Sequence, residues 1–243
     1  GDATFERRTI SLAPLEVQCI LMVDLDEDGD QDLLVADMGG NSILYARNDG
    51  EQNFELLYLV TATQGTSGIA VADLDGDGDL DIAGASFTGN RVYWLRNDGG
   101  FMFTSINIAT SLSGPTHVLA DDFDGDGDVD VVAAIQTAGA VRFFRNDGDA
   151  VFTNELLANM STPRRIVKDD IDQDGDVDIL YAGGGGLGYF RNNAGAFVQQ
   201  SIFTYFGCRG VGAADMNGDG YKDLLYADYE EDDMSIGWYN TTN

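Results

Sequence analysis

The sequence is poor in the residues that build many catalytic centres and in the charges that attract polyanions. It has one histidine and two cysteines, and only 13 lysines and arginines against 42 aspartates and glutamates. The resulting net charge of −29 makes nucleic acid and anionic membranes poor partners. No stretch is long and apolar enough to span a bilayer. Nucleophile-elbow, HExxH, phosphate-loop and dinucleotide motifs are also missing, which favours a binding module over an enzyme.

What the sequence has in abundance is aspartate, at alternate positions of one acidic nonapeptide. The copies are DLDEDGDQD from Asp24, DLDGDGDLD from Asp73, DFDGDGDVD from Asp122, DIDQDGDVD from Asp170 and DMNGDGYKD from Asp215. Glycine stands at position 6 of every copy, which favours ligand loops over merely solvated acidic turns. An EF-hand is excluded because position 12 is never glutamate and no helical pattern flanks the copies.

This spacing suits a hard cation, because Ca²⁺ takes about six to eight oxygen ligands and short loops supply them at alternate positions. Tyr221 at position 7 of the last copy can offer only its main-chain oxygen, so position 7 is predicted to be a backbone ligand. The predicted ligands of about five structural calcium sites are Asp24, Asp26, Asp28, Asp30 and Asp32; Asp73, Asp75, Asp77, Asp79 and Asp81; Asp122, Asp124, Asp126, Asp128 and Asp130; Asp170, Asp172, Asp174, Asp176 and Asp178; and Asp215, Asn217, Asp219, Tyr221 and Asp223.

The repeat period predicts the fold. Successive copies begin 49, 49, 48 and 45 residues apart, a period typical of four-stranded propeller blades. Each unit contains four short apolar runs separated by Gly, Asn and Asp turns, which indicates an antiparallel meander. We therefore expect an all-β fold, a five-bladed β-propeller of four-stranded antiparallel blades in one domain, residues 1–243.

The strands found at the two ends of the chain predict how the ring of blades closes. A strand that opens with phenylalanine recurs at Phe5, Phe54, Phe103, Phe152 and Phe197, while the chain stops after SIGWYNTTN, a third-strand segment. The last unit thus lacks its outer strand and the N-terminal segment TFERRTI can supply it, which would close the ring and remove exposed sheet edges. A piece of a larger propeller is the alternative.

The DxDxDGDxD loops, followed by the turns YARNDG, WLRNDGG, FFRNDGD and YFRNNAG, resemble the FG-GAP or VCBS repeats of integrin alpha propellers, fungal lectins and secreted bacterial proteins. The resemblance covers nearly the whole chain and implies a calcium-binding propeller. It leaves function open, because that scaffold serves adhesion modules, lectins and enzymes alike.

Calcium supply indicates where such a protein works. Loops that bind at about 10⁻⁴ to 10⁻³ M fill outside the cell and stay empty in the cytosol, so we expect an extracellular protein, secreted or at the cell surface. A signal peptide is absent and residue 1 is glycine, which indicates a mature form or an excised domain. Sequons at Asn159 and Asn240 would permit glycosylation. We expect a monomer or one part of a larger multidomain protein.

The two cysteines lie near the start of the inner strands of blades one and five. Those blades become neighbours if the ring closes, so Cys19 and Cys208 are either a disulfide across the closure or two free thiols.

Ligand recognition is expected on the face opposite the acidic loops, where the repeats differ. Aligning the positions six and five residues before each loop brings three arginines and the only histidine to the axis. The candidate ligand-binding residues are Gln18, Thr116, His117, Arg164, Arg165, Arg209, Asp37 and Asp228. Arginine side chains bind carboxylate or sulfate groups, which predicts a glycan or an acidic protein as the ligand. An anionic glycan is the most specific form of this prediction.

Other interpretations of these residues stay open. The arginines could instead neutralise Asp37, Asp121, Asp169 and Asp228. Asp37 and Asp228 close the second strands of blades one and five and could serve as the carboxylate pair of a glycoside hydrolase. A polysaccharide lyase would use His117 or a tyrosine as its base. A structural spacer in a larger surface protein is the remaining class.

Residues repeated in most blades are predicted to be structural. The turn arginines precede tight-turn sequences, and the aromatic residues of the third strands suit packing between blades. An alanine that recurs in every repeat marks a close contact with the neighbouring strand. These sets are Arg47, Arg96, Arg145 and Arg191; Tyr45, Trp94, Phe143 and Trp238; and Ala36, Ala85, Ala134, Ala182 and Ala227.

Overall fold

The structure is a computed structural model and describes residues 7, 9–10, 16–51, 53–204, 207–230 and 233–239. Within these residues the chain forms five antiparallel sheets and no helix, so no helix is long and apolar enough to span a membrane. Each sheet follows one repeat and keeps its strands in chain order, from an inner strand to an outer one. The prediction of an all-β repeat fold is confirmed.

We name the sheets blades 1 to 5. Blade 1 consists of β1 (Val17–Val23), β2 (Asp32–Asp37), β3 (Ser42–Asn48) and β4 (Phe54–Thr61). Blade 2 consists of β5 (Thr66–Ala72), β6 (Asp81–Ser86), β7 (Arg91–Asn97) and β8 (Phe103–Ala109). Blade 3 consists of β9 (Pro115–Asp121), β10 (Asp130–Ile135), β11 (Ala140–Asn146) and β12 (Phe152–Asn159). Blade 4 consists of β13 (Pro163–Asp169), β14 (Asp178–Gly183), β15 (Gly186–Arg191) and β16 (Val198–Phe203). The described part of blade 5 consists of β17 (Cys208–Ala214), β18 (Asp223–Glu230) and β19 (Asp233–Tyr239).

In blades 1 to 4 the second strand lies in the middle of the sheet and is covered on both faces. All six residues of β10, DVVAAI, are buried, and β6 and β14 show the same pattern. Such runs read as continuously apolar rather than alternating because neither face meets water. The acidic loop of each blade joins its inner strand to this buried strand.

Every inner strand carries a β-bulge near its start. In blade 1, Val17 pairs with Asp37 and Cys19 pairs with Ala36, so Gln18 is an extra residue. The other four inner strands shift register at the equivalent residue, which is Ser67, Thr116, Arg164 and Arg209. A bulge re-aims the side chains beside it, so adjacent residues no longer point to strictly opposite faces.

The core consists of four apolar clusters, each joining two consecutive blades. Tyr45, Trp94 and Phe143 are buried in these contacts, as the repeat pattern predicted. The repeated alanine is fully buried in blades 1 to 4, and its equivalent in blade 5, Ala227, is exposed. The side chain of Trp238 lies outside the described part of the structure.

The predicted outer strands begin where expected at Phe54, Phe103 and Phe152, and one residue after Phe197 in blade 4. Phe5 and most of the N-terminal segment lie outside the described residues, so closure of the ring by that segment stays a prediction. Cys19 and Cys208 are buried free thiols. The extent of a single domain over residues 1–243 also stays a prediction.

Candidate functional site

The carboxylate at position 9 of each loop closes the loop from inside the protein. Asp130 is fully buried, and its two oxygens accept hydrogen bonds from the backbone N–H groups of Phe123 (3.0 Å) and Asn146 (2.7 Å). Asp81 and Asp178 repeat both contacts, and Asp32 also accepts a bond from the Tyr45 hydroxyl at 2.6 Å. Position 9 thus ties the loop to the third-strand turn of its own blade.

The carboxylate at position 1 folds the loop from the other end. Asp73 accepts hydrogen bonds from the backbone N–H groups of Gly76, Asp77 and Gly78 at 2.8, 3.2 and 2.9 Å. Position 5 accepts a bond from the N–H of position 7, as in Asp77 with Asp79 at 2.9 Å. The glycine at position 6 has φ between 90 and 99° in all five loops, which explains why only glycine stands there.

Three carboxylates meet in each of the first four loops. One oxygen from each of positions 1, 3 and 9 lies within 4.8 Å of the others. The clusters are Asp24, Asp26 and Asp32; Asp73, Asp75 and Asp81; Asp122, Asp124 and Asp130; and Asp170, Asp172 and Asp178. These groups could hold a metal ion. The position-5 carboxylates, which are Asp28, Asp77, Asp126 and Asp174, are not part of these clusters in the described loops. Backbone ligation at position 7, which is Asp30, Asp79, Asp128 and Asp176, stays a prediction.

Two observations fit a hard cation at these clusters. All donors are carboxylate oxygens, which is the ligand type that Ca²⁺ and Mg²⁺ prefer. Asp26 Oδ1, Asp75 Oδ1 and Asp170 Oδ1 are buried without a hydrogen-bond partner, although each belongs to a cluster. A buried anionic oxygen without a partner is costly, and a bound cation would compensate it.

Several carboxyl groups of the clusters have raised pKa values. Burial raises the pKa of Asp75, and the neighbouring charge of Asp77 raises it further. Burial also raises the pKa of Asp81 to about 6, of Asp130 to about 7 and of Asp178 to about 6, against the hydrogen bonds from backbone N–H groups. Each cluster therefore resists full ionisation unless a cation is present.

The fifth loop keeps the turn but alters the ligands. Asp215 accepts hydrogen bonds from the N–H groups of Gly218, Asp219 and Gly220, and Asp223 accepts one from Met216. Position 3 is Asn217, whose amide donates to Asp219 at 2.9 Å. The loop thus offers one negative charge fewer than its counterparts among positions 1, 3 and 9.

A pocket of about 420 Å³ opens at the other end of the inner strands. Six residues separate the bulge from the loop start, so the pocket lies about 20 Å from the carboxylate clusters at about 3.3 Å per residue. Its lining is Glu16, Gln18, Met38, Ser67, Phe87, Thr116, His117, Gln136, Arg164, Arg165 and Arg209. All five bulge residues belong to this set, which we call the axial pocket.

The structure therefore brings together six of the eight ligand residues proposed from the sequence. The bulge explains why Arg164 and Arg165, adjacent in the chain, both line the pocket and are both exposed. Asp37 is buried, and its Oδ1 accepts the N–H groups of Glu16 (2.9 Å) and Gly40 (3.0 Å). Neither Asp37 nor Asp228 belongs to the lining among the described residues.

Two of the acids that could have neutralised the pocket arginines pair with lysines instead. Asp121 pairs with Lys168 at 2.6 Å, and Asp169 pairs with Lys222 at 3.3 Å, both across neighbouring blades. Within the described residues no salt bridge joins Arg164 or Arg165 to an acid. Two guanidinium groups of the pocket are thus available to an anion.

His117 is the only histidine and lies beneath the pocket, 8% exposed. Burial and, to a smaller extent, the nearby charge of Arg165 lower the pKa of His117 to about 3. Its Nδ1 has no hydrogen-bond partner among the described residues. The imidazole is therefore neutral at physiological pH and adds no positive charge to the arginines.

Sequence reasoning missed Met38, Phe87 and Gln136. They follow the second strands of blades 1, 2 and 3 and recur at the same 49-residue period as the loops. Aligning the turns between second and third strands, as the inner strands were aligned, would have found them. Phe87 gives the pocket an aromatic face beside polar groups.

The turns after the third strands are structural, as predicted. Arg96 and Arg145 pair with Asp98 and Asp147 of their own turns at 2.8 and 2.9 Å. The following asparagine is the more important residue: Asn192 Nδ2 donates to Phe123 O in the loop of blade 3 at 2.7 Å. Asn146 donates in the same way to Leu74 O of blade 2 at 3.0 Å. These amides join the acidic loop of one blade to the next blade.

The five blades around one pocket, with acidic loops on the opposite face, define a protein of the propeller type. The FG-GAP-like repeat family matches residues 24–84, 75–133 and 170–226, more than half of the chain. The chain belongs to this family. No curated protein sequence matches it significantly.

Several solved structures share the fold at low sequence identity. An Agrocybe aegerita lectin, described as recognising non-reducing terminal N-acetylglucosamine, is 19% identical with a TM-score of 0.61, over 91% of this chain and 66% of the lectin. The V. cholerae biofilm matrix protein Bap1 is 19% identical with a TM-score of 0.52, over 86% of this chain and 34% of Bap1. BBS1N, in complex with ARL6DN, is 14% identical with a TM-score of 0.56, over 88% of this chain and 77% of BBS1N.

Proposed function

We propose that the protein is an extracellular, calcium-stabilised binding module that holds an anionic glycan in the axial pocket. The single observation that carries this proposal is the convergence of Arg164, Arg165 and Arg209 on one pocket of a chain whose net charge is −29. Arginine forks recognise carboxylate and sulfate groups in bidentate fashion, so uronates and sulfated sugars are the matching ligand class.

The rest of the lining supports a sugar. Phe87 offers an apolar ring face, and Gln18, Ser67, Thr116 and Gln136 offer the donors and acceptors that hydroxyl groups need. A few placed polar groups beside an aromatic surface are typical of small-molecule sites. The lectin among the similar folds is described as recognising a neutral sugar, so it supports a glycan ligand, while the negative charge of the ligand is inferred from the arginines alone.

In this proposal calcium has a structural role. The carboxylates at positions 1, 3 and 9 would hold the ion, and position 5 shapes the loop by accepting the N–H of position 7. The ion would neutralise charge that otherwise opposes the fold, and the extracellular calcium concentration suits loops of moderate affinity. It supplies no step in ligand binding, because the pocket lies at the far ends of the strands.

A screen of acidic and neutral glycans in millimolar calcium tests the proposal. The Arg164→Gln, Arg209→Gln double variant should lose binding of uronate or sulfated glycans, because it removes two guanidinium groups from the pocket. Arg96→Gln with Arg145→Gln is the matched control, since it removes equal charge from exposed turns. Binding that survives the pocket variant, or selective binding of neutral sugars alone, would contradict an anionic ligand. Binding of acidic peptides instead of glycans would assign a protein ligand to the pocket.

A further inference from the structure

Blade 1 presents an apolar strand position that is buried in blades 2, 3 and 4. Ile20 of β1 is 57% exposed, whereas the equivalent residues Ile69, Val118 and Ile166 are 2%, 1% and 0% exposed. Each of those three residues packs into the cluster that its blade shares with the preceding blade. Met22, two residues further along the same strand face, is 75% exposed. We call this surface the leading face of blade 1.

Blade 5 presents the complementary face. Met216, at position 2 of its acidic loop, is 52% exposed, whereas the equivalent Leu25, Leu74, Phe123 and Ile171 are between 1% and 6% exposed. Ala227 is exposed where the other four repeated alanines are buried. An apolar groove of Gly210, Val211, Gly212, Leu225, Tyr226 and Ala227 runs beside it. We call this surface the trailing face of blade 5.

We propose that the trailing face of blade 5 and the leading face of blade 1 receive one further blade of the same repeat. In all four internal contacts the leading face of one blade covers the trailing face of the blade before it. An occupant that satisfies both exposed faces must therefore carry a leading and a trailing face of this kind. Apolar residues that are exposed here but buried at the equivalent positions of the internal contacts mark an interface rather than ordinary surface.

The geometry limits the occupant to a single sheet. The inner strands of all five blades already line the axial pocket, so they occupy most of a circle around it. A second complete copy of the chain would place its own second blade where blade 1 stands. Along the axis, a cavity of about 480 Å³ is lined by β1, β5, β9 and β13 and, within the described residues, by nothing from β17.

Direct closure of blade 5 on blade 1 is the competing arrangement and follows the ring closure expected from the sequence. Such closure would bury Ile20, Met216 and Ala227 against each other's blades. Among the described residues no apolar cluster contains members of both blade 1 and blade 5. The two arrangements predict opposite exposure of the same side chains, so experiment can separate them.

The first test compares Ile20→Asp with Ile69→Asp in the chain as it exists. If the leading face is open, Ile20→Asp leaves the melting temperature almost unchanged, while Ile69→Asp prevents folding or lowers the melting temperature strongly. Peroxide footprinting with mass spectrometry should also oxidise Met22 and Met216 quickly in the folded protein. An Ile20→Asp variant as damaged as Ile69→Asp, or protected methionines, would mean that the chain covers its own faces and would overturn the proposal.

The second test supplies a further blade. A copy of residues 149–195 appended after Asn243 continues the repeat in phase, with an outer strand for blade 5 and three strands of a further blade. The melting temperature should rise by several degrees, and oxidation of Met22 and Met216 should slow. The matched control carries aspartate in place of the copied Ile166, whose original is buried. An appended repeat that leaves stability and both methionines unchanged, or that performs no better than its control, would refute a further blade.

Discussion

Removal of calcium is the perturbation that tests the metal loops most directly. In each of four clusters, carboxylate oxygens lie within 4.8 Å of one another. At that separation and an effective dielectric near 20, each pair of full charges repels by about 3.5 kcal/mol, so a bare cluster must take up protons or open. The raised pKa values of Asp75, Asp81 and Asp130 show the same repulsion and desolvation. We therefore expect the calcium-free protein to be much less stable than the loaded protein.

The magnitude follows from mass action. With dissociation constants of about 10⁻⁴ to 10⁻³ M, roughly 2 mM calcium stabilises each cluster by about 0.6 to 1.8 kcal/mol. Over the four clusters this gives about 2.5 to 7 kcal/mol in the free energy of unfolding. A chain of this size loses about 2 to 4 °C per kcal/mol, so the melting temperature should fall by about 5 to 28 °C.

Differential scanning calorimetry in 2 mM calcium, about its extracellular level, and in excess EGTA measures this difference. Magnesium in place of calcium tests the choice of ion, and Asp75→Asn should reduce the calcium-dependent part of the stability. Asp149→Asn is the control because it removes an exposed acid outside the loops. Identical melting curves with calcium and with EGTA would refute the reasoning, because a filled cluster cannot be neutral to removal of its ion.

Three further predictions concern packing and protonation. Gly68→Ala should lower the free energy of unfolding, measured in urea, by about 1 to 3 kcal/mol, because the new Cβ would lie 2.8 Å from His117 Cα. Gly210→Ala is the control, since its Cβ would meet only Ala227, at 3.4 Å. Equal losses of stability in the two variants would contradict this prediction. Asn192→Ala should lower the free energy of unfolding by about 1 to 3 kcal/mol, because Phe123 O would lose its hydrogen-bond donor. Asn48→Ala should lower it less, because the hydrogen bond that the Asn48 side-chain amide donates is exposed. The imidazole of His117 should stay neutral by NMR from pH 7 to 5, since its folded pKa of about 3 lies below the unfolded value. The stability it contributes is therefore complete above about pH 6.5 and is lost as the pH falls towards 3, by about 1.4 kcal/mol per pH unit; a titration midpoint near 6.5 would contradict this.

The sequence predicted the repeat fold because its signals are local. Asp24 and its four equivalents recur at nearly constant spacing, and each glycine at position 6 needs a positive φ that few other residues adopt. The four strands of each unit followed from apolar runs between turn residues. Packing of Tyr45 and Ala36 between blades followed from repetition, because a contact that recurs with the period belongs to the scaffold.

The sequence predicted only part of the ligand site. Aligning the repeats placed Arg164, Arg165 and Arg209 at one end of the propeller axis. In an ideal strand, however, the adjacent Arg164 and Arg165 would point to opposite faces, so that only one of them could line the pocket. The bulge that brings both into the pocket is a register shift between strands, and no local motif marks it. Asp37 was proposed for the site, and the structure shows it holding the backbone of Glu16 and Gly40 instead.

By itself, the sequence determined the number of repeats, the strands of each repeat and the chemistry of the acidic loops, because these depend on residues close together in the chain. Only the tertiary structure decided which carboxylates meet, which acids pair with lysine rather than arginine, and which apolar residues of blades 1 and 5, such as Ile20 and Met216, are exposed. Those outcomes depend on contacts between blades about fifty residues apart, where packing geometry and not residue spacing sets the distance.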